Sequence, residues 1–244
     1  IGSEIAKQVA NLNPSNIIFL DSSEYNLFQL QQEFVSFKNF KKMHFLLRDL
    51  RNHEELEKIF HKYEIDTIYH SAAYKHVPLL QQKENFISAI ENNFFCTFNL
   101  CSLAKKFNIS NLVLISSDKA VNPPNIMGAS KRLSELALQA FSREKNNNTI
   151  FTIVRFGNVI NSSGSVIPLF WKQIESGGPI TVTHEEVNRF FMSIEEAASL
   201  VIQAGAISKG GEVFLLDMGK PIKIKELAEK MIRLSGNSVA NSEN

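Results

Sequence analysis

Four consecutive side chains, Ser116, Ser117, Asp118 and Lys119, offer two hydroxyls, a carboxylate and an amine, and Met127 and Lys131 follow shortly after. Groups of these types hold ligands by hydrogen bonds and move protons. The apolar run at 112–115 has two β-branched residues and reads as a buried strand of a parallel sheet, which delivers the four to its carboxyl end. Open α/β sheets bind ligands at that end. Pro123 and Pro124 exclude helix immediately afterwards, and then Leu133, Leu136, Ala137, Ala140 and Phe141 recur at helical spacing. Met127 and Lys131, four apart, share one face of that helix near its start. A lysine there opposes the helix macrodipole, which a purely structural helix avoids. Any one of these residues alone reads as well as a solvated turn or a surface lysine. The cluster, with a lysine on the facing helix, points to a site.

The outer bounds are those of an ordinary globular chain. Its 244 residues, 44% hydrophobic and 21% charged, suit one large α/β domain or one and a half smaller ones. A net charge of +1 with no basic stripe excludes nucleic acid as the main partner. Cys96 and Cys101, five apart in an apolar helix, suit neither a disulfide framework nor a metal knuckle and read as buried thiols in a reducing compartment. No metal site is expected. No apolar run reaches the ~18 residues of a membrane span, and no signal peptide is visible. The expected setting is cytoplasmic, with any membrane attachment left to an amino-terminal region outside these residues.

Taken in order, the chain runs from Gly2 straight into a helix with Ile5, Val9 and Leu12 on one side, then a strand over 16–20 that ends in Asp21. In a dinucleotide-binding βαβ unit an acidic residue ~20 positions beyond the glycine loop accepts hydrogen bonds from the adenosine ribose. Gly2 and Asp21 fit that spacing, which makes Gly2 the last glycine of such a loop and places the first strand and earlier glycines upstream. A cap followed by a turn explains the pair equally well. The charge of Asp21 would repel a 2′-phosphate, favouring NAD over NADP.

A helix over 27–37, a strand over 43–47 closing with Arg48-Asp49, and a helix with Leu56, Ile59, Phe60 and Tyr63 inward continue the alternation. A strand over 67–70 runs into Ser71-Ala72-Ala73-Tyr74-Lys75-His76, where small residues let a cofactor approach the backbone, and His76 reads as a core or capping histidine. A long helix over 84–107 returns to the central cluster. Beyond it lie a strand over 149–156, a glycine-hinged loop over 164–170 entering a helix with Trp171, a strand over 180–183, helices over 195–206 and 224–234, and a strand over 213–216. The fold class is α/β. A Rossmann-type doubly wound parallel sheet over 1–156, without its first strand and glycine loop, carries a smaller substrate-binding lobe over 157–236, interleaved with sheet elements. The polar tail 237–244 is expected to be disordered.

The runs SAAYKHVPL, ISSDKAVNPPNIMGASKR, VRFGNVINSSGSVIPLF, GGPITVTH, NRFFM and GEVFLLDMGKP together resemble the CapD group of polysaccharide-biosynthesis proteins. That group lies within the extended short-chain dehydrogenases/reductases and includes nucleotide-sugar 4,6-dehydratases acting on UDP-N-acetylglucosamine. The resemblance covers nearly the whole chain. It implies NAD as cofactor, a UDP-sugar as substrate, a homo-oligomer, and for the full-length protein a place in the cytoplasm or at the cytoplasmic face of the inner membrane. By position, Asp21 would bind the adenosine ribose and Asp49 and Leu50 the adenine edge, while Ala72, Ala73 and Tyr74 would line the cofactor. Lys131 would hold the nicotinamide ribose. Asn93 matches the asparagine of the family's N-V-x-G-T element, with Cys96 in place of the glycine. Lys75, Asn158, Val166, Thr181, Thr183 and Arg189 match substrate positions, and the planar fork of Arg189 suits a diphosphate.

The resemblance also implies the chemistry. NAD takes the C4 hydride, the resulting ketone acidifies the C5 proton, Lys119 removes that proton, Asp118 protonates the departing C6 hydroxyl, and hydride returns to C6. Both groups then need displaced pKa values, the lysine lowered and the carboxyl raised. Most relatives carry tyrosine where this chain has Met127, so another group must take the C4 proton. Ser116 or Ser117 through a water, with Lys131 adjusting the pKa, fills that role here. Two rival readings stay open: a nucleotide-sugar 4-epimerase, which has no need of Asp118-Lys119, and a fragment that only binds nucleotide sugar.

Overall fold

Alternating apolar runs and amphipathic segments build a layered α/β structure, seen in a computed structural model that describes residues 1–160, 162, 165–182 and 184–239. The first elements are α1 (Gly2–Asn11), β1 (Ile17–Asp21), α2 (Glu24–Phe34), β2 (Met43–Leu47), α3 (His53–Lys62), β3 (Thr67–His70) and the short α4 (Val77–Leu80). Next come α5 (Phe86–Ile90), a π turn at Glu91–Phe95 and α6 (Cys96–Lys106), which follow one another without a break. The strand β4 (Asn111–Ile115), a 3-10 turn at Asp118–Ala120, α7 (Ile126–Arg143) and β5 (Ile150–Arg155) make up the centre. After them come β6 (Asn158–Val159), α8 (Val166–Glu175), β7 (Asn188–Arg189), β8 (Phe191–Met192), α9 (Ile194–Ile207), β9 (Val213–Leu215), β10 (Ile222–Lys223) and α10 (Ile224–Leu234).

The chain divides into two compact units, Ile1–Arg155 with Ala198–Leu216, and Phe156–Ala197 with the residues from Asp217 onward. In the first unit β3, β4, β5 and β9 form a parallel sheet in that order, with Leu112 of β4 opposite Ile68 of β3 and Phe151 of β5. Leu112, Val113 and Leu114 are fully buried, as a central strand covered on both faces requires. β1 and β2 form a separate parallel ladder. Leu20 and Leu46 from that ladder pack on the same core as Leu56, Leu103, Leu112 and Phe151. Among the described residues β1 pairs only with β2, and β3 only with β4. Over the sheet, Gly205 of α9 lies so close to Val113 that an added Cβ would stand 2.8 Å from its methyl group.

The second unit has two short ladders, β6 with β8 in parallel and β7 with β10 antiparallel. Its core gathers Phe170 of α8 and Ile224, Ala228 and Met231 of α10.

Three expectations are corrected. The helix expected over 27–37 begins at Glu24, because the Ser23 hydroxyl accepts from the Asn26 amide and caps it earlier. Residues 180–182 do not form a strand; Thr181 is instead tied to α8 through the side chain of Gln173. His76 is neither in the core nor a capping side chain: it stands at the N-cap position of α4, exposed and without a cap hydrogen bond. Gly164, Thr183 and residues 240–244 of the expected tail lie outside the described residues.

Candidate active site

The strand-end cluster is set by how β4 stops. Beyond Ile115 the Ser116 amide still donates to Val154 O at 2.8 Å, and Ser117 then caps the 3-10 turn, accepting from the Lys119 amide at 3.2 Å. The Ser117 hydroxyl donates to Asp118 Oδ1 at 2.8 Å, and Lys119 Nζ lies 3.0 Å from the same oxygen. Both charged side chains are partly open to solvent, 42% for Asp118 and 33% for Lys119. The turn is nevertheless held in place. Ala120 is buried, and Gly128 in the first turn of α7 meets the Lys119 carbonyl so closely that a Cβ would overlap its oxygen. Asn125, whose side chain accepts from the Gly128 amide at 2.9 Å, starts α7 at that point.

Met127 and Lys131 both face inward from α7. Met127 packs with Leu80 and Ala89, with Val77 and Ile126 against them. Lys131 Nζ donates to the Ile115 carbonyl at 3.0 Å, one residue before the cluster. Burial pushes its pKa down to about 8, against the opposing pull of Glu135. A second group of buried polar residues adjoins it. The Asn93 amide receives the Tyr74 N–H at 2.7 Å and donates to Tyr74 O at 3.0 Å and Ser130 Oγ at 2.9 Å. With both its hydrogens engaged, Asn93 clamps the loop after β3 to α7, a different task from donating to a ligand. The Thr97 and Ser134 hydroxyls donate to the Asn93 carbonyl at 2.7 Å, so the Thr97 oxygen accepts from His70 Nε2 at 3.1 Å. Burial and the nearby Lys131 push the His70 pKa down to about 3, which keeps the ring neutral.

Glu135 was not among the residues singled out from sequence. It is fully buried, and it accepts from Ser116 Oγ at 2.6 Å, Arg155 Nε at 2.7 Å and Arg132 Nη1 at 2.9 Å. Burial alone would raise its pKa, but the hydrogen bonds from Arg155, Ser116 and Arg132 outweigh it and hold the carboxyl below its usual range. This corrects the expectation for Ser116, whose hydroxyl points inward to Glu135. Of the two serines, only Ser117 stands at the half-exposed turn. The available signal was spacing: Glu135 follows Lys131 by one helical turn, and Arg155 ends the neighbouring strand.

On the cofactor side, the first turn of α1 reaches the end of β3, where a Cβ on Gly2 would lie 2.6 Å from Ser71 Oγ. Ala72, Tyr74 and Lys75 are exposed in the loop that follows, and Ala73 is half-buried. Asp21 closes β1 with Oδ1 accepting the Ser23 amide at 2.8 Å. Asp49 accepts from the Arg51 amide and from its Nε, both at 2.9 Å, and this guanidinium holds the carboxyl below its ordinary range. Leu50 is half-buried, and its carbonyl accepts from Asn99 at 2.9 Å. An open groove of about 580 Å³ lies beside Asp49, Arg51, Phe95 and Asn99.

In the second unit Asn158 begins β6 and Val166 begins α8, both half-buried, while Thr181 and Arg189 are exposed. Arg189 pairs by its backbone with Ile222, and its Nη1 donates to Asn188 O at 3.0 Å. Among the described residues no cluster of His, Cys, Asp or Glu is placed to hold a metal ion, and no helix is long and apolar enough to cross a membrane. Cys96 and Cys101 are buried free thiols, as read from sequence, and burial pushes the Cys96 thiol up to about 12.

A parallel sheet covered by helices, with hydroxyl, carboxylate and amine side chains gathered at one strand end, together with a smaller lobe, defines a Rossmann-like α/β protein. The comparisons narrow this further. The chain belongs to the polysaccharide biosynthesis protein family, whose model matches residues 1–244. It is 48% identical over 237 residues to the capsular polysaccharide biosynthesis protein CapD of Staphylococcus aureus, a match that covers 97% of this chain and 39% of that relative's length. Among solved structures, Pen from Bacillus thuringiensis superposes with a TM-score of 0.89 at 34% identity, covering 98% of this chain and 73% of Pen. DesIV from Streptomyces venezuelae, a dTDP-glucose 4,6-dehydratase solved with NAD bound, superposes at 0.84 and 21% identity, covering 97% of this chain and 78% of DesIV, a likeness of fold.

Proposed function

We propose that the protein is a nucleotide-sugar 4,6-dehydratase that converts UDP-N-acetylglucosamine to a UDP-4-keto-6-deoxy-N-acetylhexosamine for surface polysaccharide synthesis. The observation that carries the reading is the seat of Asp118 and Lys119: their turn rests on Gly128, one helical turn from the buried Lys131. An epimerase has no use for an acid beside a base at this point, whereas elimination of water needs both.

The residues fit NAD. The start of α1 lies close to Ser71 at the end of β3, and a helix amino terminus favours a phosphate. Asp21 at the end of β1 suits a ribose diol, and Lys131 suits the second ribose. When bound, NAD would take the hydride from the sugar C4 and return it to C6.

The chain's own groups do the rest. Asp118 and Lys119 sit as an ion pair at 3.0 Å. Elimination needs one group that takes a proton and one that gives a proton, and this turn brings an amine and a carboxyl side chain to one point. Lys119 then removes the C5 proton, Asp118 protonates the C6 hydroxyl that leaves as water, and the Lys119 ammonium gives a proton back to C5 once C6 has been reduced. With Met127 unable to carry a proton, Ser117 and Lys131 relay the C4 hydroxyl proton through water. In the second unit we assign Arg189 to the diphosphate and Asn158, Val166, Thr181 and Thr183 to the nucleotide.

The test is to incubate the full-length protein with UDP-N-acetylglucosamine and NAD and weigh the products. A keto sugar lighter by one water is expected. An isomer of unchanged mass would instead mean 4-epimerisation, and binding without conversion would leave only a nucleotide-sugar-binding protein.

A further inference from the structure

We propose that Glu135 is a positioning residue for the strand-end site: its carboxylate, tied to Ser116 and Arg155, fixes the turn bearing Asp118 and Lys119 against the helix bearing Lys131, and its charge holds the Lys131 ammonium. The inference deepens the dehydratase reading and rests on it for its catalytic meaning, though the geometry stands by itself.

Chain order gives the carboxylate its leverage. Ser116 immediately precedes Ser117, the cap of the turn, Arg155 is the last residue of β5, and Lys131 lies one helical turn before Glu135. One fully buried group therefore joins the carboxyl ends of two neighbouring strands to the helix that covers them. Filling the same space with an apolar side chain costs less desolvation than burying a carboxylate with its partners, so packing alone does not account for the choice.

The surroundings of Lys131 leave the charge role to the same residue. β4 presents the Ile115 carbonyl, and β3 presents His70, which is neutral. On the strand-end turn Asp118 and Lys119 pair with each other, and Arg132 and Arg155 both bind Glu135. Glu135, on α7 itself, is the acidic group that acts on the Lys131 ammonium.

Two variants of the full-length protein separate charge from reach. For Glu135→Gln, trace acylation of lysines across a pH series, quantified peptide by peptide, should show the Lys131 midpoint moving down. Labelling at pH 7 should rise about fivefold if that midpoint falls from about 8 to about 7. Exposed Lys58 serves as the unmoved control. An unchanged Lys131 midpoint overturns the charge role. Glu135→Asp keeps the charge but shortens the reach; it should leave the Lys131 midpoint in place while amide exchange at Lys119 and Ala120 accelerates about tenfold, as local opening becomes easier. Unchanged exchange overturns the positioning role. If the glutamine variant does not fold, the aspartate variant decides. A merely structural Glu135 would lower the melting temperature in both variants, speed exchange across the whole sheet rather than at Lys119 and Ala120 in particular, and leave the Lys131 midpoint in place. Because neither measurement uses a nucleotide sugar, a moved midpoint without any dehydrated product would sink the dehydratase reading and leave the placement of Glu135 intact.

Discussion

Helices α7 and α10 bury stripes of the same geometry with opposite chemistry. In α10 the inward positions are Ile224, Ala228 and Met231, with Leu227 beside them, while Lys225, Glu226, Lys230 and Arg233 face water. In α7 the inward positions run Met127, Gly128, Ser130, Lys131, Ser134, Glu135 and Leu138, and it is Leu133 and Leu136 that face out. Transfer of apolar surface from water is enough to hold α10 down. α7 stays buried only because its polar atoms find partners: Ser130 on Met127 O, Lys131 on Ile115 O, Ser134 on Asn93 O, and Glu135 on Ser116 and Arg155. A helix that buries charge where leucine would serve stability better is one whose inward face has another task.

The largest expected effect comes from converting one stripe toward the other. If the protein is the dehydratase proposed above, Lys131→Met should lower its rate about 10³-fold, within the range expected for loss of a group that moves protons. It should also make the protein more stable at neutral pH. The folded pKa of Lys131 is about 8 against 10.5 for a free lysine, so the folded state binds the proton less well than the unfolded one. Stability contributed by this group is therefore lost as pH falls through 8 and fully present only above about 10.5. The methionine variant gains about 1–3 kcal/mol below pH 8 and nothing above that window, read from denaturant unfolding at several pH values. A loss of stability at pH 7 would mean that α7 buries its lysine without cost.

The control on the other helix is Met231→Ala. Cutting a buried methionine from the α10 cluster should cost about 2–4 kcal/mol in unfolding free energy, with no dependence on pH between 6 and 9. A pH-dependent loss there would mean that the two helices do not differ in this way.

What sequence could reveal followed the same divide. α10 was legible over its full length, 224–234, because its apolar period coincides with its buried face. The helix α7 was legible as a helix, yet the leucines that announced it, Leu133 and Leu136, mark its outward side. Periodicity reports spacing; it does not say which face is covered when the buried one is polar. Asp118 and Lys119 were singled out by residue type at a strand end, and Lys131 by its place on the facing helix. Asn93 was found by motif, but its clamp on Tyr74 depends on a π turn that brings it to the loop after β3, and no local pattern encodes that contact. Glu135 and Arg155 were missed because two ordinary charged residues twenty positions apart become a buried pair only after β4, α7 and β5 have come together.

The acid limb sharpens the contrast on the polar side. His70 is buried neutral against Thr97, with a folded pKa of about 3 against 6.5 when free. Its stability contribution is complete above pH 6.5 and is lost as pH falls toward 3. Unfolding free energy should thus decline by about 1.4 kcal/mol per pH unit in that window from this group alone. His70→Asn should flatten that part of the curve. An unaltered acid slope in the variant would mean that other groups set it.

The smallest effect tests the outward side of α7. Leu136 is 47% exposed and Leu133 37%, and neither contributes to the buried polar stripe. Leu136→Gln keeps the side chain's length and a good helix propensity, and it exchanges apolar surface already in contact with water. Unfolding free energy should stay within about 0.5 kcal/mol of the parent, with dehydration and the Lys131 midpoint unmoved. Leu138, fully buried two residues later, provides the scale, since its truncation to alanine should cost about 2–5 kcal/mol. If Leu136→Gln weakened the protein as much as Leu138→Ala, the helix would have to bury its apolar side as well. The inverted stripe, with Lys131 and Glu135 inward, would then no longer distinguish α7 from α10.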